Sequence, residues 1–392
     1  MFKYSVKFLQ VLCLLSVVFA SCSKKYSSDD SLAPQYSPSV IMGSNNRILY
    51  AYAPSTGKKN WETSFPSSIF ACPMVYYNRV YVAVANTLSF GGMYDTLYKL
   101  NSSTGKLVKK MTILGAAPFS LKATPIAEGK LIYLATSVDS VYAIDTGTGA
   151  VTWRAGTDGP IESSPAIYDS FIYVATTAGS VYCIDKLTGA RHWVYSAGAG
   201  KSFTSSPSLS VPNLYVGCSD SAVYCIKLKS TTSTGVLNWI YKTNGPVTSS
   251  PAVTGGKCIF GCKDYYVYSV DVISGGLNQK FRTATDVTSS PVVSAAKDVV
   301  YIGGYDHILY ALNVLDLTVR WKYPTSGLIK SSPLLYKGMV YIGSYDHAFY
   351  AIDALTGTLK WTTTIEGDME CSPAIEDYSH MQYNSQVSGF TN

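Results

Sequence analysis

The stretch YAIDALTGTLKW, residues 350–361, has close copies at YAIDTGTGAVTW (142–153) and YCIDKLTGARHW (182–193). A motif repeated in this way marks a unit that cannot bury its own apolar face and must stack on neighbours. The copies sit inside a larger repeat. A Pro preceded by Ser or another small residue opens a short apolar run at Pro73, Pro125, Pro165, Pro207, Pro251, Pro291, Pro333 and Pro373, in steps of 40 to 52 residues. A second run such as VYIG (340–343) follows, then a third such as FYAID (349–353). After a TG-type turn a fourth run ends each unit on an aromatic: Trp61, Trp153, Trp193, Trp239, Phe281, Trp321 and Trp361, with Lys109 in that place in the second unit.

The runs are β-branched and aromatic, alternate with period two, and are bounded by Gly, Asp, Ser and Pro, which predicts strands. Outside the first twenty residues no segment carries a 3.6-residue apolar stripe. Four short strands in about 40 residues is the pattern of a propeller blade. A blade has two apolar faces, so the sheets must pack face to face around an axis. Eight Pro-led segments and eight groups of the other three strands are present, but out of phase. The chain enters at VIMG (40–43), which matches VYIG, and leaves after CSPAIED (371–377), which matches a Pro-led segment. The expected fold is therefore all-β: an eight-bladed β-propeller of four-stranded antiparallel blades, its ring closed by N- and C-terminal strands.

Within the motif the expected roles are structural. Asp145, Asp185, Asp271 and Asp353 precede a turn whose backbone N–H groups a short carboxylate can accept. Gly149, Gly189 and Gly357 stand where a left-handed residue is needed. Trp61, Trp153, Trp193, Trp239, Trp321 and Trp361 supply flat surfaces to wedge between blades, with an indole N–H to donate. The A-x-D-x-x-T-G-x-x-x-W pattern resembles the tryptophan-docking repeats of the pyrroloquinoline-quinone propeller superfamily over residues 40–377. Some units depart from it: Lys109 replaces the aromatic, Leu317 takes the Gly place, and Lys227 takes the Asp place ahead of an extra STTS.

That superfamily has two branches. The resemblance to quinone-dependent alcohol dehydrogenases implies a neighbouring-cysteine disulfide, a Trp platform and a Glu/Asn/Asp set around Ca²⁺, with long lid insertions. The chain has no adjacent Cys pair, no C-x-x-C-H haem motif and no acidic cluster of such spacing. The other branch, the non-catalytic propeller lipoprotein of the outer-membrane β-barrel assembly machinery, is similar in size, blade number and lack of cofactor residues. On this reading the chain is not an enzyme and has no catalytic, cofactor-binding or metal residues. It is expected to be a monomeric scaffold that binds other envelope proteins, among them barrel-assembly components. A ligand- or glycan-binding surface lipoprotein is the alternative, and a quinone-dependent dehydrogenase a remote one.

The first residues bear on location. Lys3 and Lys7 precede an apolar FLQVLCLLSVVFA (8–20) too short to span a membrane, as in a secretory signal. It ends in FASC, which resembles a lipobox, so Cys22 is expected to be acylated. The expected organisation is a signal peptide at 1–21, an acylated Cys and polar tether at 22–39, the propeller at 40–377 and a tail at 378–392. The protein is then exported and lipid-anchored to the outer membrane of a Gram-negative bacterium. The body has no basic run, so no nucleic-acid footprint is expected.

Other signals read as packing or turns. Cys183 and Cys225 share one motif place and Cys218 and Cys262 another, alternating with small residues, as buried thiols do. An odd number of body cysteines without paired spacing argues against a disulfide framework. GAGKS (198–202) lacks the first Gly of a phosphate loop, and the paired YDH turns (305–307, 345–347) are not a metal site. The repeat breaks most in blade 2, at NTLSFGGMYD (86–95) and ILGAAPFSLKA (113–123). Phe90, Met93, Tyr94 and Phe119 are the candidate partner contacts, on loops of one face.

Overall fold

The computed structural model describes residues 38–87, 93–113, 122–376 and 382–384. Eight antiparallel sheets form an eight-bladed β-propeller, with one turn of 3₁₀ helix, Ala295–Lys297, as the helical element of the described residues. In blades 2 to 8 strand A is innermost and strand D outermost. Blade 8 is representative: A Leu334–Tyr336, B Met339–Gly343, C Ala348–Asp353 and D Leu359–Thr364. The A strands of successive blades lie side by side around the axis.

Blade 1 closes the ring as the phase of the repeat requires. Its B, C and D strands are Val40–Gly43, Ile48–Tyr52 and Lys59–Ser64, and its A strand is Ala374–Glu376, paired through Ile41 and Ala374. The chain continues past this strand: Gln382–Asn384 pairs with Ala374–Glu376 as a fifth strand on the axial side. Period counting stopped at 377 because this strand has no copy in the other blades.

The core is divided among the interfaces between blades. One cluster joins Tyr133 and Ala143 of blade 3 to Val174 and Tyr182 of blade 4, and another joins Tyr301 of blade 7 to Ile342 and Ile352 of blade 8. Strand B is buried on both faces, as in Asn213–Cys218 and Val299–Gly303. Period-two alternation was expected for these runs, yet neighbours cover both sides and the strands are continuously apolar. Alternation survives in the D strands, such as Leu237–Lys242, where one face meets solvent. The Tyr slot at 142, 182, 224, 268, 310 and 350 fills these interfaces. In blades 5 to 8 each Tyr hydroxyl also donates to the carboxylate four residues earlier, Asp220, Asp264, Asp306 or Asp346, at 2.6–2.8 Å.

A second ring lies nearer the axis. The residue before each Pro accepts, through its side chain, the N–H of its counterpart one blade back. Thr124 donates to Ser164, Ser164 to Ser206, Ser206 to Ser250, Ser250 to Ser290, Ser290 to Ser332 and Ser332 to Ser372, all at 2.8–3.0 Å. Ser372 donates to the Cys72 sulfur at 2.9 Å, which carries the belt across the chain ends into blade 2. The Ser-Pro step thus does more than start a strand. It satisfies a buried N–H at seven of the eight blade junctions, each of which would otherwise cost about 1–3 kcal/mol.

Candidate functional site

The opening motif is a clip between blades. Each tryptophan indole donates to a turn carbonyl of the following blade: Trp61 to Ser102, Trp153 to Lys186, Trp193 to Leu228, Trp239 to Val272, Trp321 to Ala354 and Trp361 to Pro54, at 2.7–3.1 Å. At Lys186, Val272 and Ala354 the residue before the accepting carbonyl is an Asp that builds the turn; before Ser102, Leu228 and Pro54 that place holds Asn101, Lys227 and Ala53. Asp185 accepts the N–H groups of Leu187 and Thr188 and the Thr188 hydroxyl, and Asp145, Asp271 and Asp353 repeat the arrangement. The glycine gives the indole its seat. A Cβ on Gly189 would stand 2.7 Å from the Trp153 ring, and its φ of +74° already disfavours a side chain. Gly149 and Gly357 occupy the same turn position, with Gly357 against Trp321.

These bonds hold the turn carboxylates below their ordinary range. The Thr148 and Thr188 N–H groups are the main causes at Asp145 and Asp185, the Ser274 N–H at Asp271, and the Thr356 N–H with Lys360 brings Asp353 to about 2. A carboxylate lowered in the folded state stabilises the fold above its unfolded pKa of about 4, and that contribution disappears as pH falls through the folded value. The melting temperature is therefore expected to be level from about pH 7 to 5 and to fall between about pH 4 and 2. In a variant with Asn at 145, 185, 271 and 353 that fall should be shallower; calorimetry across pH measures it.

Two irregular motifs prove to be one. Strand register places Gln279, not Phe281, opposite Ser269 in the docking position of blade 6. Phe281 lies two residues further and packs edge-on against Tyr310, with ring centroids 5.2 Å apart. The aromatic assignment at Phe281 is thus corrected: Phe281 matched in residue type but not in register. With Gln279 in place of the indole in blade 6, blade 7 has no Gly in its turn. Leu317 takes that turn position at φ +57° and is 2% exposed, packed beside Val314 and Phe281. Gln279→Trp should cost about 1–3 kcal/mol by overpacking against Leu317. Leu317→Gly should be destabilising alone and restorative in that background, a sign change that a double-mutant cycle in urea detects. In blade 2, Lys109 stands in for tryptophan by donating to the Gly147 and Thr148 carbonyls of blade 3.

The candidate partner contacts lie where blade 2 departs from the repeat. Phe90 and Phe119 lie outside the described residues, as does Cys22. Met93 and Tyr94 do not belong to a loop: their backbones pair with Thr87 and Asn86. Strands B and C of blade 2, Arg79–Thr87 and Met93–Asn101, each have nine residues, against five or six in blade 8. The blade 8 ladder ends at Gly343 and Phe349, whereas that of blade 2 continues for four further pairs. At about 3.3 Å per residue, this hairpin projects roughly 13 Å beyond the face. Of the expected loop 86–95, residues 86, 87 and 93–95 belong to strands, and 88–92 lie outside the described residues. The same face carries Phe70, 43% exposed, in the crossover from blade 1 to blade 2.

Phe70 also belongs to the ring of residues three before each Pro, with Lys122, Glu162, Thr204, Thr248, Thr288, Lys330 and Glu370. Adjacent members pair across blades, Lys122 with Glu162 at 2.7 Å and Lys330 with Glu370 at 2.6 Å; Glu370 also accepts from the Tyr345 hydroxyl. This ring does not fit a quinone held over Ca²⁺, which needs six to eight oxygen ligands. Its two carboxylates are already neutralised, and the lysines would oppose a cation. Among the described residues no three His, Cys, Asp or Glu side chains converge. His347 sits 3.6 Å from Asp368, and the His192 ring stacks on Phe171. In GAGKS, Lys201 pairs with Asp220 at 3.0 Å and donates to the Tyr224 hydroxyl, so it is committed within the loop. The opposite face has a cleft of about 490 Å³ bordered by Tyr168, Val211, Pro212, Lys227, Asn238 and Ile273. It occurs in blade 5, where Lys227 replaces the turn carboxylate.

Among solved structures the chain is similar to BamB from Moraxella catarrhalis, at 15% identity over 78% of this chain and 88% of that one, with a TM-score of 0.64. It is also similar to the computationally designed Ika8 protein, at 15% identity, 83% and 95% coverage and a TM-score of 0.66. A europium-containing methanol dehydrogenase is similar at 13% identity, 79% and 81% coverage and a TM-score of 0.64. At these identities the likeness is one of fold. No curated protein sequence matches the chain. The sequence profile of outer membrane protein assembly factor BamB matches residues 33–108, 94–232 and 263–380. By that match, which takes in most of the propeller, the chain belongs to the BamB family.

Proposed function

We propose that this protein is a non-catalytic scaffold of the bacterial cell envelope, which binds partner proteins through the face bearing the extended blade 2 hairpin and acts in outer-membrane protein assembly. The observation that carries this reading is the four-pair extension of that hairpin, together with membership of a family described by an assembly factor. The B–C hairpin of blade 2 is longer than that of any other blade, and this surplus chain stands where a partner can reach it. The axial ring supports the same view, because its charges are spent on inter-blade pairs. Acylation at Cys22 would tether the propeller to the outer membrane through residues 22–39, and the propeller itself would act as a monomer.

The test is affinity capture from solubilised envelopes with the full chain and with a variant whose hairpin is shortened to end at Ala83 and Leu97. Capture of β-barrel assembly proteins by the full chain and their loss with the shortened hairpin, at unchanged melting temperature, supports the reading. Equal capture by both would reject the hairpin as the contact. The cleft beside Ile273 favours a second reading as a ligand-binding lipoprotein. Tryptophan fluorescence titration with oligosaccharides, with Tyr168→Ala as the control, tests it.

A further inference from the structure

Two residues before the Pro, a second set of side chains in six of the eight blades fastens strand B to the segment leading into strand A; Ala71 and Ala123 hold the place in the other two. Ser163 accepts from the Ala175 N–H, Ser205 from Gly217, Ser249 from Gly261, Ser289 from Gly303 and Ser331 from Gly343, at 2.7–3.3 Å. In blade 1 this place belongs to Cys371, whose sulfur accepts from the Gly43 N–H at 3.2 Å. The neighbouring place in the inter-blade belt, Ser or Thr elsewhere, belongs in blade 2 to Cys72. Both oxygen-to-sulfur exchanges therefore occur at one seam, and it is the seam where the C-terminal strand joins the ring.

The two thiols meet there. Both belong to one buried cluster, and the N–H of Ser372, in the peptide that follows Cys371, donates to the Cys72 sulfur at 2.9 Å, while the Cys371 thiol faces the Gly43 carbonyl at 3.0 Å and the Met42 sulfur at 3.7 Å. Cys72 receives the Ser372 N–H as well, so the Cys371 thiol and this amide together draw it down to about 7 against the effect of burial. Cys371 is pushed up by its neighbour Cys72 and by burial. The remaining described cysteines, 183, 218, 225, 258 and 262, are buried among apolar and polar side chains, which raise them. The seam thus sets two buried cysteines, 299 positions apart in the chain, beside one another, and the Cys72 sulfur is the one drawn toward the thiolate.

We propose that Cys72 and Cys371 form a disulfide that locks the propeller ring shut. The Cys72 thiolate attacks the disulfide of a thiol–disulfide oxidant, an oxidoreductase or oxidised glutathione, and one oxidant sulfur leaves as a thiol. Cys371 then displaces the second oxidant thiol from the mixed disulfide. The protein loses two electrons and two protons, and the oxidant disulfide becomes two thiols. Because both sulfurs are buried in the closed ring, the exchange takes place while the C-terminal segment docks. The benefit is greatest at this position, since a crosslink there closes a loop of nearly the whole propeller. The inference uses an oxidising compartment in the cell, as export would provide, but the bond itself depends only on the seam.

The test uses the full chain, unfolded in reductant and refolded with reduced and oxidised glutathione, so it needs neither export nor a partner. Alkylation under denaturing conditions, followed by peptide mapping without reduction, should join the peptide containing Cys72 to that containing Cys371, while the five other body cysteines are alkylated. Adding reductant to the refolded protein should then lower its melting temperature by about 5–10 °C. The Cys72→Ser and Cys371→Ser variants keep the hydrogen bonds that serine makes in the other blades. They should fold, and their melting temperatures should not respond to reductant. Recovery of Cys72 and Cys371 as alkylated thiols in the glutathione-refolded protein would overturn the proposal, as would linkage of either to another cysteine.

Discussion

Removal of residues 371–392 is expected to abolish cooperative unfolding of the propeller. The deletion takes the A strand of blade 1, with Ala374 and Ile375 buried in two different interfaces. It leaves the Gly43 and Ser332 N–H groups without the Cys371 and Ser372 side chains that receive them. Burying Ile alone is worth about 1.5–3 kcal/mol, and each orphaned N–H costs about 1–3 kcal/mol. The sum approaches the whole stability of a typical domain, about 5–15 kcal/mol. A chain ending at Glu376 is the control: it loses the fifth strand but keeps the closure, and its urea midpoint should move little. A shortened chain without residues 371–392 that still unfolds in one sharp transition would show that the seam is dispensable.

The second large effect is expected at Trp361. Its indole donates to Pro54 at 2.7 Å, across 307 positions of sequence, and its ring packs against Tyr52, Tyr341 and Phe349 with centroids 5.5–6.3 Å apart. Gly57 of blade 1 lies flat against it, at a φ of +68° where a Cβ would stand 2.6 Å from the ring. Trp361→Ala opens a cavity at the junction of blade 8 with the N-terminal strands of blade 1, and should cost about 3–5 kcal/mol. Trp361→Phe keeps most of the apolar contact and loses the indole bond, so about 1 kcal/mol is expected. Urea unfolding of the two variants separates packing from hydrogen bonding. Equal losses would mean that the indole N–H, rather than the ring, holds the seam.

Both effects concern the scaffold, which is where the repeated motif acts. A carboxylate that folds a turn, a glycine that gives an indole its seat and an indole that donates back form a closed mechanical unit. None of these atoms is free to meet a ligand. The capacity to bind must come from what the repeat does not specify, and the extended hairpin of blade 2 is the largest such addition among the described residues.

The sequence by itself determined the repeat, the blade count and the manner of closure. Each strand pairs with the next through tight turns, so Pro73 to Pro373 and the phase of VIMG (40–43) carry the topology in local order. The Asp, Gly and Trp roles were legible for the same reason, since each recurs at a fixed offset. Tertiary structure decided what depends on register and on contacts between distant positions. The register common to all blades docks Gln279, eight residues after Asp271 as Trp153 is after Asp145, so the aromatic two residues on, Phe281, does not hold that role, and this explained Leu317. The serine belt joins residues about 40 apart through side chains whose direction no spacing reveals. Cys72 and Cys371 are brought together because a ring places the first and last segments of the chain in contact, a distance that local sequence cannot encode.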